Sequence, residues 1–494
     1  MMRAARAFLW VLITVPALAA DWPMGGRGPD RNPVSPERNA PTDWQFPTER
    51  GKPRNIRWAT RIEGGYYASG GPIVAGGFVW VGTTDRLSDP KNESLDNAVL
   101  ACVRASDGKV VYRYVSPRRM FPADWPGQSL TGSPLVAGER LWFCTNRREV
   151  VCLDLAPLYS AKGEPRVVWK FDMVKELKVA PKAMMIPGPE THGSPAAYKN
   201  LLYVPTGNAV DADGKTVTAP DAPSLVCLEK DTGKVVWSDA SPGKDMMCDH
   251  FASPLVVEVG GKAQVIHPQA DGWVRSFDAR TGKLIWKFDT NPKSAPLDFT
   301  GGAEASERNA VVATPVFANG RVFFATGRAP EWGAGPGRLF CIDPTKTGDV
   351  SPELGERPKP GQPNPNSAVV WTFTGGGWRE TDRMHLSLSS VAVHDGLVLA
   401  ADRHGSVHCL DEKTGKRYWS HNTRASVYGS PLVADGKVYV GSDAGEVHVL
   451  ELAKVKKVIA RHGCDKVIES SPVFAGGVLY VLTRGNLYAV APKR

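Results

Sequence analysis

Short apolar runs alternate along this chain with polar turns rich in Asp, Thr, Gly and Lys. In residues 407–422, an apolar run ends before Asp411, and a second run leads from Gly415 to Trp419. β-Branched and apolar residues favour strands, Asp accepts hydrogen bonds from the amides that follow it, and Gly takes positive φ without steric cost. The pattern therefore predicts a β-hairpin with a Trp on its returning strand.

The hairpin phrase also occurs at 225–240 and 274–290, and a second phrase recurs with it: a Ser-Pro strand, a turn and another strand. The eight copies of the second phrase begin at Gly70, Gly132, Gly193, Ala252, Ala313, Ser389, Gly429 and Ser470. The tightest copies recur about every 40 residues, which is the length of a four-stranded propeller blade. We therefore predict an all-β fold, an eight-bladed β-propeller of four-stranded blades.

The two ends of the repeat array are complementary. The eighth copy ends at residues 486–490 without a fourth strand, whereas residues 55–62 form a Trp-bearing strand with no blade of their own. Placing 55–62 on blade eight closes the ring and removes an unpaired sheet edge. Tyr112 takes the Trp position in blade one, and blade seven offers only residues 456–459. The other blades have Trp58, Trp169, Trp237, Trp286, Trp371 and Trp419 at this position.

These motifs resemble the pyrroloquinoline quinone (PQQ) repeat, which has a Ser-Pro strand, a Leu-Asp-x-x-Thr-Gly-Lys turn and a Trp after it. Residues 22–29 are similar to a Trp-Pro-x-x-Arg-Gly leader that precedes many such propellers. The resemblance implies the propeller of quinoprotein alcohol dehydrogenases, and it extends to the non-enzymatic propeller lipoprotein of the outer-membrane barrel assembly machinery. Because the repeats are scaffold, the resemblance implies a fold and leaves the function open.

The first twenty residues have the pattern of a signal peptide. Arg3 and Arg6 precede an apolar stretch at 7–15, and small residues at 17–19 suit cleavage. We expect a signal peptide at 1–20, an extended leader at 21–54 and the propeller at 55–494. The protein is then expected in a periplasm or secreted. Since no Cys follows the predicted cleavage site, we do not expect a lipoprotein.

The cysteines point to buried thiols rather than disulfides. Five of the eight occupy the same position of the third strand: Cys102, Cys152, Cys227, Cys341 and Cys409. Other blades place Ser276, Val449 and Ala489 there, so the position selects small side chains. Equivalent residues of stacked sheets lie about 10 Å apart, beyond disulfide reach. We expect these five to be free, and the pattern leaves Cys144, Cys248 and Cys464 open.

Strand direction predicts where ligands would bind. The loop before each innermost strand, here called an inlet loop, shares a face with the loop between strands two and three. Long insertions at 82–98, 173–189, 207–222, 290–307 and 327–337 are predicted on this inlet face of the first five blades, with short loops on the last three. Rigid scaffolds commonly bind through such loops. The candidate residues at the channel mouth are Glu190, His192, Asp249, His250, Asn309, His385, Arg424 and Glu469.

Three interpretations of these candidates stay open. Glu190, His192, Asp249 and His250 suit a divalent metal by residue type, although no short-spaced ligand motif supports them. The resemblance to quinoprotein dehydrogenases implies PQQ with Ca²⁺, with Asp249 or Glu190 as catalytic base and Glu469 and Asn309 as ligands. Alternatively, the side chains hydrogen-bond one another and the exposed strand ends.

The prediction of function rests mainly on features of quinone-binding sites that the sequence lacks. The resemblance implies a pair of adjacent Cys and a Trp to hold the quinone, yet no two Cys are adjacent. We therefore expect no cofactor, and an exported binding or protein-interaction scaffold, with a quinoprotein dehydrogenase as the alternative and a glycan- or polymer-binding protein as a second one. The net charge of +9 is spread through the turns, so nucleic acid is not expected. We expect a monomer whose protein, small-molecule or glycan partner binds the inlet face.

Overall fold

The computed structural model describes residues 21–47, 51–62, 70–85, 97–117, 130–179, 193–210, 216–248, 250–296, 308–328, 335–377, 379–464 and 466–491. Eight antiparallel four-stranded sheets form an eight-bladed β-propeller, which confirms the predicted fold. Two short α-helices, Ala156–Tyr159 and Met173–Leu177, and the 3₁₀ turns Gly243–Asp245 and Glu380–Asp382 lie in loops. No helix within the described ranges is long and apolar enough to cross a membrane.

In the first four blades, the strands follow one another in chain order from the channel outward. Blade one consists of Ile73–Ala75, Phe78–Thr84, Ala98–Arg104 and Val110–Ser116. Blade two consists of Leu135–Ala137, Arg140–Cys144, Glu149–Asp154 and Arg166–Asp172. Blade three consists of Ala196–Tyr198, Leu201–Pro205, Leu225–Glu229 and Val235–Asp239. Blade four consists of Leu255–Val259, Lys262–Pro268, Trp273–Asp278 and Leu284–Asp289.

The remaining blades follow the same order. Blade five consists of Val316–Ala318, Arg321–Ala325, Leu339–Ile342 and Val369–Phe373. Blade six consists of Ala392–His394, Leu397–Ala401, Ser406–Asp411 and Arg417–Asn422. Blade seven consists of Leu432–Ala434, Lys437–Gly441, Glu446–Glu451 and Val458–Gly463. Blade eight consists of Val473–Ala475, Val478–Leu482, Asn486–Val490 and Ile56–Arg61.

The ring closes as predicted. Ile56–Arg61 pairs antiparallel with Asn486–Val490, and Trp58 lies opposite Ala489. The N-terminal strand therefore supplies the outermost strand of blade eight, so the sheet that contains the C-terminal strands is completed from the other end of the chain.

The repeated turn and its Trp join neighbouring blades. The indole Nε1 of Trp58 donates to the Ala105 carbonyl at 2.9 Å, in the turn of the next blade. Gly108 in that turn has φ +76°, and a Cβ there would lie 2.7 Å from the indole ring, so only Gly fits. Trp169, Trp237 and Trp371 meet the turn glycine of the next blade in the same way. The repeated phrase is thus an interlock between consecutive blades.

Blade seven differs from the prediction. Its fourth strand is Val458–Gly463 rather than 456–459, and Ala460 lies opposite Val449, where blade one has Tyr112 and the other blades have Trp. Trp44 from the leader stacks on His462 with ring centroids 3.6 Å apart, and it is buried. Phe46 lies 4.8 Å from the Tyr488 ring of blade eight. The leader therefore supplies the aromatic packing that this blade lacks.

The Ser of the Ser-Pro phrase forms a hydroxyl belt around the channel. The Ser133 amide donates to Oγ of Ser194 at 2.9 Å, and the Ser194 amide donates to Oγ of Ser253 at 2.9 Å. The bonds Ser253 to Thr314, Ser390 to Ser430 and Ser430 to Ser471 continue this pattern. The phrase recurs because each hydroxyl satisfies an amide of the preceding blade, where the backbone faces the channel.

The leader crosses the channel rather than running beside the ring. It contacts all eight blades. Most of the contacts lie at the middle of the innermost strand or in the turn after it, and this turn is at the end of the strand opposite the inlet loop. The contacts, in blade order, are Trp22 with Val74, Pro23 with Val136, Arg31 with Pro195, Arg31 with Pro254, Asp30 with Phe317, Asn32 with Val393, Val34 with Val433 and Glu37 with Gly476. One segment therefore ties every blade to a common centre.

All eight cysteines are free, and the five third-strand thiols are buried, as predicted. Burial raises the pKa of Cys152, Cys227, Cys341 and Cys409 to about 12. Because the thiolate is the reactive form, we expect these thiols to resist a thiol reagent in the native protein.

We expect a thiol titration with 5,5′-dithiobis(2-nitrobenzoate) to find eight reactive groups in the denatured, non-reduced protein. In the native protein only Cys464, which is half-buried, is expected to react readily. A count below five in denaturant would contradict the assignment of the third-strand cysteines as small buried side chains.

Candidate functional site

The inlet loops and the loops between strands two and three meet on one face, as the strand directions predict. The Arg328 Nε donates to Oδ1 of Asn309 at 2.6 Å within blade five. In blade eight, Arg484 Nε donates to Oε2 of Glu469 at 2.9 Å. In each pair, a predicted candidate is hydrogen-bonded to an arginine that lies shortly after the second strand of the same blade. Glu469 is thereby neutralised, and Asn309 is buried.

Three of the candidates, Glu190, His192 and Asp249, lie outside the described residues. Arg424 is exposed, and its amide donates to Oδ1 of Asn422 at 2.7 Å. Within the described part of the chain, no group of three or more His, Cys, Asp or Glu side chains is arranged to hold a metal. The metal hypothesis for the channel mouth therefore gains no support from its one described member, His250.

The channel axis contains a small polar cavity of about 70 Å³. The hydroxyl belt and the leader line it, and the Arg31 guanidinium lies in its wall. Arg31 donates to the carbonyls of Gly25 and Pro195 at 2.9 Å and of Pro254 at 3.1 Å. Burial lowers the pKa of Arg31 to about 9. The cavity therefore has room for a few water molecules. The Arg31 guanidinium, which is bound by backbone carbonyls, forms part of its wall.

His250 lies in a buried cluster with His267, which sequence reasoning missed. The two rings are buried, with centroids 6.0 Å apart and planes 19° apart. Within the described residues, neither ring has a hydrogen-bond partner on its nitrogens. Burial lowers the pKa of His250 to about 4 and that of His267 well below its usual value. Both imidazoles are therefore neutral at pH 7.

His385 lies at a larger pocket of about 440 Å³ between blades five and six. Its Nδ1 lies 3.2 Å from Oδ2 of Asp402, and its Nε2 lies 2.8 Å from Oε1 of Glu380. The His404 ring stacks on it with centroids 4.4 Å apart. The other residues that line this pocket are Gly335, Pro336, Gly337, Arg338, Thr374, Arg383 and Met384.

Asp402 is the buried anchor of this pocket. It accepts hydrogen bonds from the amides of His385, His404 and Ser406 at 3.1, 3.0 and 2.9 Å. Burial acts to raise its pKa, but hydrogen bonds with His385 and His408 hold that pKa well below its usual value. Burial acts to lower the pKa of His385, and its two carboxylate partners raise it. Asp402 is therefore ionised and fixes the imidazole of His385.

The loop lengths on the inlet face differ from the prediction. The inlet loop of blade six, residues 374–391, is long and carries Glu380 and His385, although short loops were predicted for the last three blades. Two further insertions, 155–165 and 343–368, join strands three and four and so lie on the opposite face. Part of the second, Gly348–Asp349, pairs in parallel with the outermost strand of blade four.

The sequence placed His385 at this face, but it did not identify Glu380, Asp402, His404 or Arg338 as its neighbours. The available signal was position, because residues that follow a second strand lie beside the inlet loop of the same blade. His404 and Asp402 meet that condition in blade six, as Arg328 does in blade five.

A family model described as outer membrane protein assembly factor BamB matches residues 123–368 and 363–494. The chain belongs to this family of PQQ-like propellers. The BamB protein of Burkholderia pseudomallei is 26% identical to it over 318 residues, which cover 58% of this chain and 73% of that protein.

The family also resembles enzymes. The dehydrogenase subunit of the quinone alcohol dehydrogenase of Gluconobacter oxydans is 29% identical over 178 residues, which cover 33% of this chain and 20% of that subunit. The chain thus spans only a fifth of the length of that relative. The crystal structure of the quinohemoprotein alcohol dehydrogenase of Comamonas testosteroni superposes with a TM-score of 0.62 at 11% identity, covering 96% of this chain and 81% of that one. This last likeness concerns the fold alone.

Proposed function

We propose that this member of the BamB family is an exported binding scaffold without quinone chemistry of its own. Its ligand or partner binds the inlet face, and the signal peptide at 1–20 delivers it to a periplasm or the exterior. The observation that carries the proposal is the closed channel, where the leader and Arg31 leave a cavity of about 70 Å³.

The size of this cavity argues against a cofactor on the axis. Pockets that bury a molecule of drug-like size are about 300–1,000 Å³. A quinone also needs flat surfaces against its rings and a metal or cation at the reactive carbonyl. No adjacent Cys pair is available in the sequence to form one such surface. The hydroxyl belt instead satisfies backbone amides from blade two to blade five and from blade six to blade eight.

The inlet face offers the surface for a partner. It carries the predicted insertions of the first five blades, and its loops rest on a ring that is held by interlocked turns and by the leader. Binding by loops on a rigid scaffold fits this arrangement. Arg424 is an exposed side chain on this face, and Lys416 is an exposed side chain at the opposite face of the neighbouring blade.

We expect no saturable binding of PQQ with Ca²⁺ below about 10 µM, measured by quenching of Trp fluorescence. We also expect no dye-linked oxidation of a panel of primary alcohols. Tight binding that is abolished by Asp249→Ala or Glu190→Ala would contradict the proposal and support a quinoprotein dehydrogenase.

Partner binding has a separate test on the exported protein in cells. A photo-crosslinking amino acid at position 424 is expected to give a discrete crosslinked product, whereas the same residue at position 416 is expected to give none. Equal crosslinking at the two positions would contradict the choice of face.

A further inference from the structure

The floor of the pocket between blades five and six holds His385 in one orientation. Asp402 is fully buried and accepts hydrogen bonds from both the amide and Nδ1 of His385. Since Nδ1 is engaged behind the ring, Nε2 points to the pocket. The His385 side chain is 4% exposed, so its position is fixed by packing as well as by Asp402.

The partner of Nε2 comes from the solvent side. Glu380 lies on a single 3₁₀ turn, its side chain is 54% exposed, and its carboxylate lies 2.8 Å from Nε2. The other carboxylate oxygen lies 3.7 Å from Arg383 Nη1. An exposed side chain on a short turn has alternative rotamers in water, so Glu380 is a replaceable partner for a buried imidazole.

The remaining walls are suited to an anion. Arg383 and the exposed His404 lie close to the Glu380 carboxylate, and Arg338 lines the same pocket. One wall is backbone, because Gly337 donates its amide to the Met384 carbonyl at 2.9 Å. A Cβ at Gly337 would lie 2.2 Å from the His385 carbonyl oxygen, so this wall requires Gly. The exposed Thr374 also lines the pocket, and Met384 packs beneath it in the core.

We propose that this pocket binds a small organic carboxylate, whose carboxylate group takes the place of Glu380 on Nε2 of His385. Glu380 itself demonstrates that a carboxylate fits at this atom. Arg383 and Arg338 would neutralise the charge of the ligand, and Thr374 would contact its carbon skeleton. The volume of about 440 Å³ lies in the range of small-molecule sites. The site does not depend on the partner binding proposed above, since it uses a different part of the inlet face.

The test uses citrate as the probe and the ¹H–¹³C signals of the imidazole rings, of which the chain has ten. Citrate is expected to shift the His385 signal in a saturable way. Glu380→Ala removes the competing carboxylate and is expected to tighten citrate binding at least fivefold. Glu446→Ala is the matched control, because Oε2 of Glu446 lies 3.1 Å from Nε2 of His448 in blade seven, outside the pocket. That control is expected to leave the citrate affinity unchanged.

Two further variants keep the result interpretable. His385→Asn is expected to abolish the binding, and Arg383→Gln, at a side chain that is 59% exposed, is expected to weaken it at least threefold without affecting folding. Citrate binding that Glu380→Ala leaves unchanged or weakens would overturn the proposal. Inorganic phosphate bound as tightly as citrate would overturn the assignment to carboxylates. Binding of Zn²⁺ that is lost in Glu380→Ala would identify a metal site instead.

Discussion

Deletion of residues 21–62 is expected to abolish the cooperative unfolding transition of the propeller. The deletion removes the outermost strand of blade eight and exposes the edge of Asn486–Val490. It also removes the leader, which contacts all eight blades, together with Trp44 and Phe46, which pack beside blade seven. Thermal unfolding followed by circular dichroism and by Trp fluorescence measures the effect.

A single substitution separates ring closure from the loss of the leader. Trp58→Ala is expected to lower the free energy of unfolding by about 3–5 kcal/mol, as for other buried aromatic truncations. Trp58 is 9% exposed and donates to the Ala105 carbonyl of the next blade. Val167→Ala is the control, since Val167 is 46% exposed on an outermost strand, and it is expected to change stability by no more than about 0.5 kcal/mol. An unchanged melting temperature after the deletion would contradict the register of blade eight.

Acid is expected to destabilise the protein well above the pH at which carboxylates titrate. Burial lowers the pKa of His250, His421 and His448 to about 4 and that of His267 well below its usual value. The folded state keeps these rings neutral, whereas the unfolded chain takes up protons below about pH 6.5. Because the unfolded state binds more protons, stability falls as the pH falls from about 6.5 to 4. The expected loss is on the order of 1 kcal/mol per proton and pH unit.

Denaturant unfolding between pH 7.5 and 4.5 measures this dependence. His385 acts with the opposite sign, because its raised pKa favours the folded state below pH 6.5 and that contribution is lost as the pH rises through its folded pKa. His267→Leu is expected to reduce the slope by about one proton. His394→Ala, at a side chain that is 44% exposed, is expected to leave the slope unchanged. A stability that is constant from pH 7 to 5 would contradict the assignment of neutral buried imidazoles.

The blades were predictable because their signals are local. The turn glycine, the Trp and the small third-strand residue lie within one hairpin, and the Trp of one copy packs on the turn glycine of the next. Ring closure was predictable as well, since a strand without a blade and a blade without a strand match. Trp44 was not, because it replaces the missing Trp of blade seven from the far end of the chain.

The site was predictable in position but not in its contacts. Strand direction placed His385 and Asn309 on one face, and the structure puts both there. Their partners depend on loop conformation: a 3₁₀ turn brings Glu380 to His385, and the chain after the second strand brings Asp402 beneath it. The spacing of these residues along the sequence does not predict these side-chain contacts. Arg31 was missed for a related reason, since a charged residue in a leader is ordinarily solvated.

The pairing of Ile56–Arg61 with Asn486–Val490 determines the order in which the blades can fold. Each blade from one to seven can form from neighbouring sequence as the chain is synthesised. Blade eight must wait, because its two parts lie almost the whole chain apart, and contacts between such distant segments form slowly. The early strand therefore stays unpaired throughout synthesis, when proteases and chaperones reach it most easily. The ring can close only after the final strand has been synthesised.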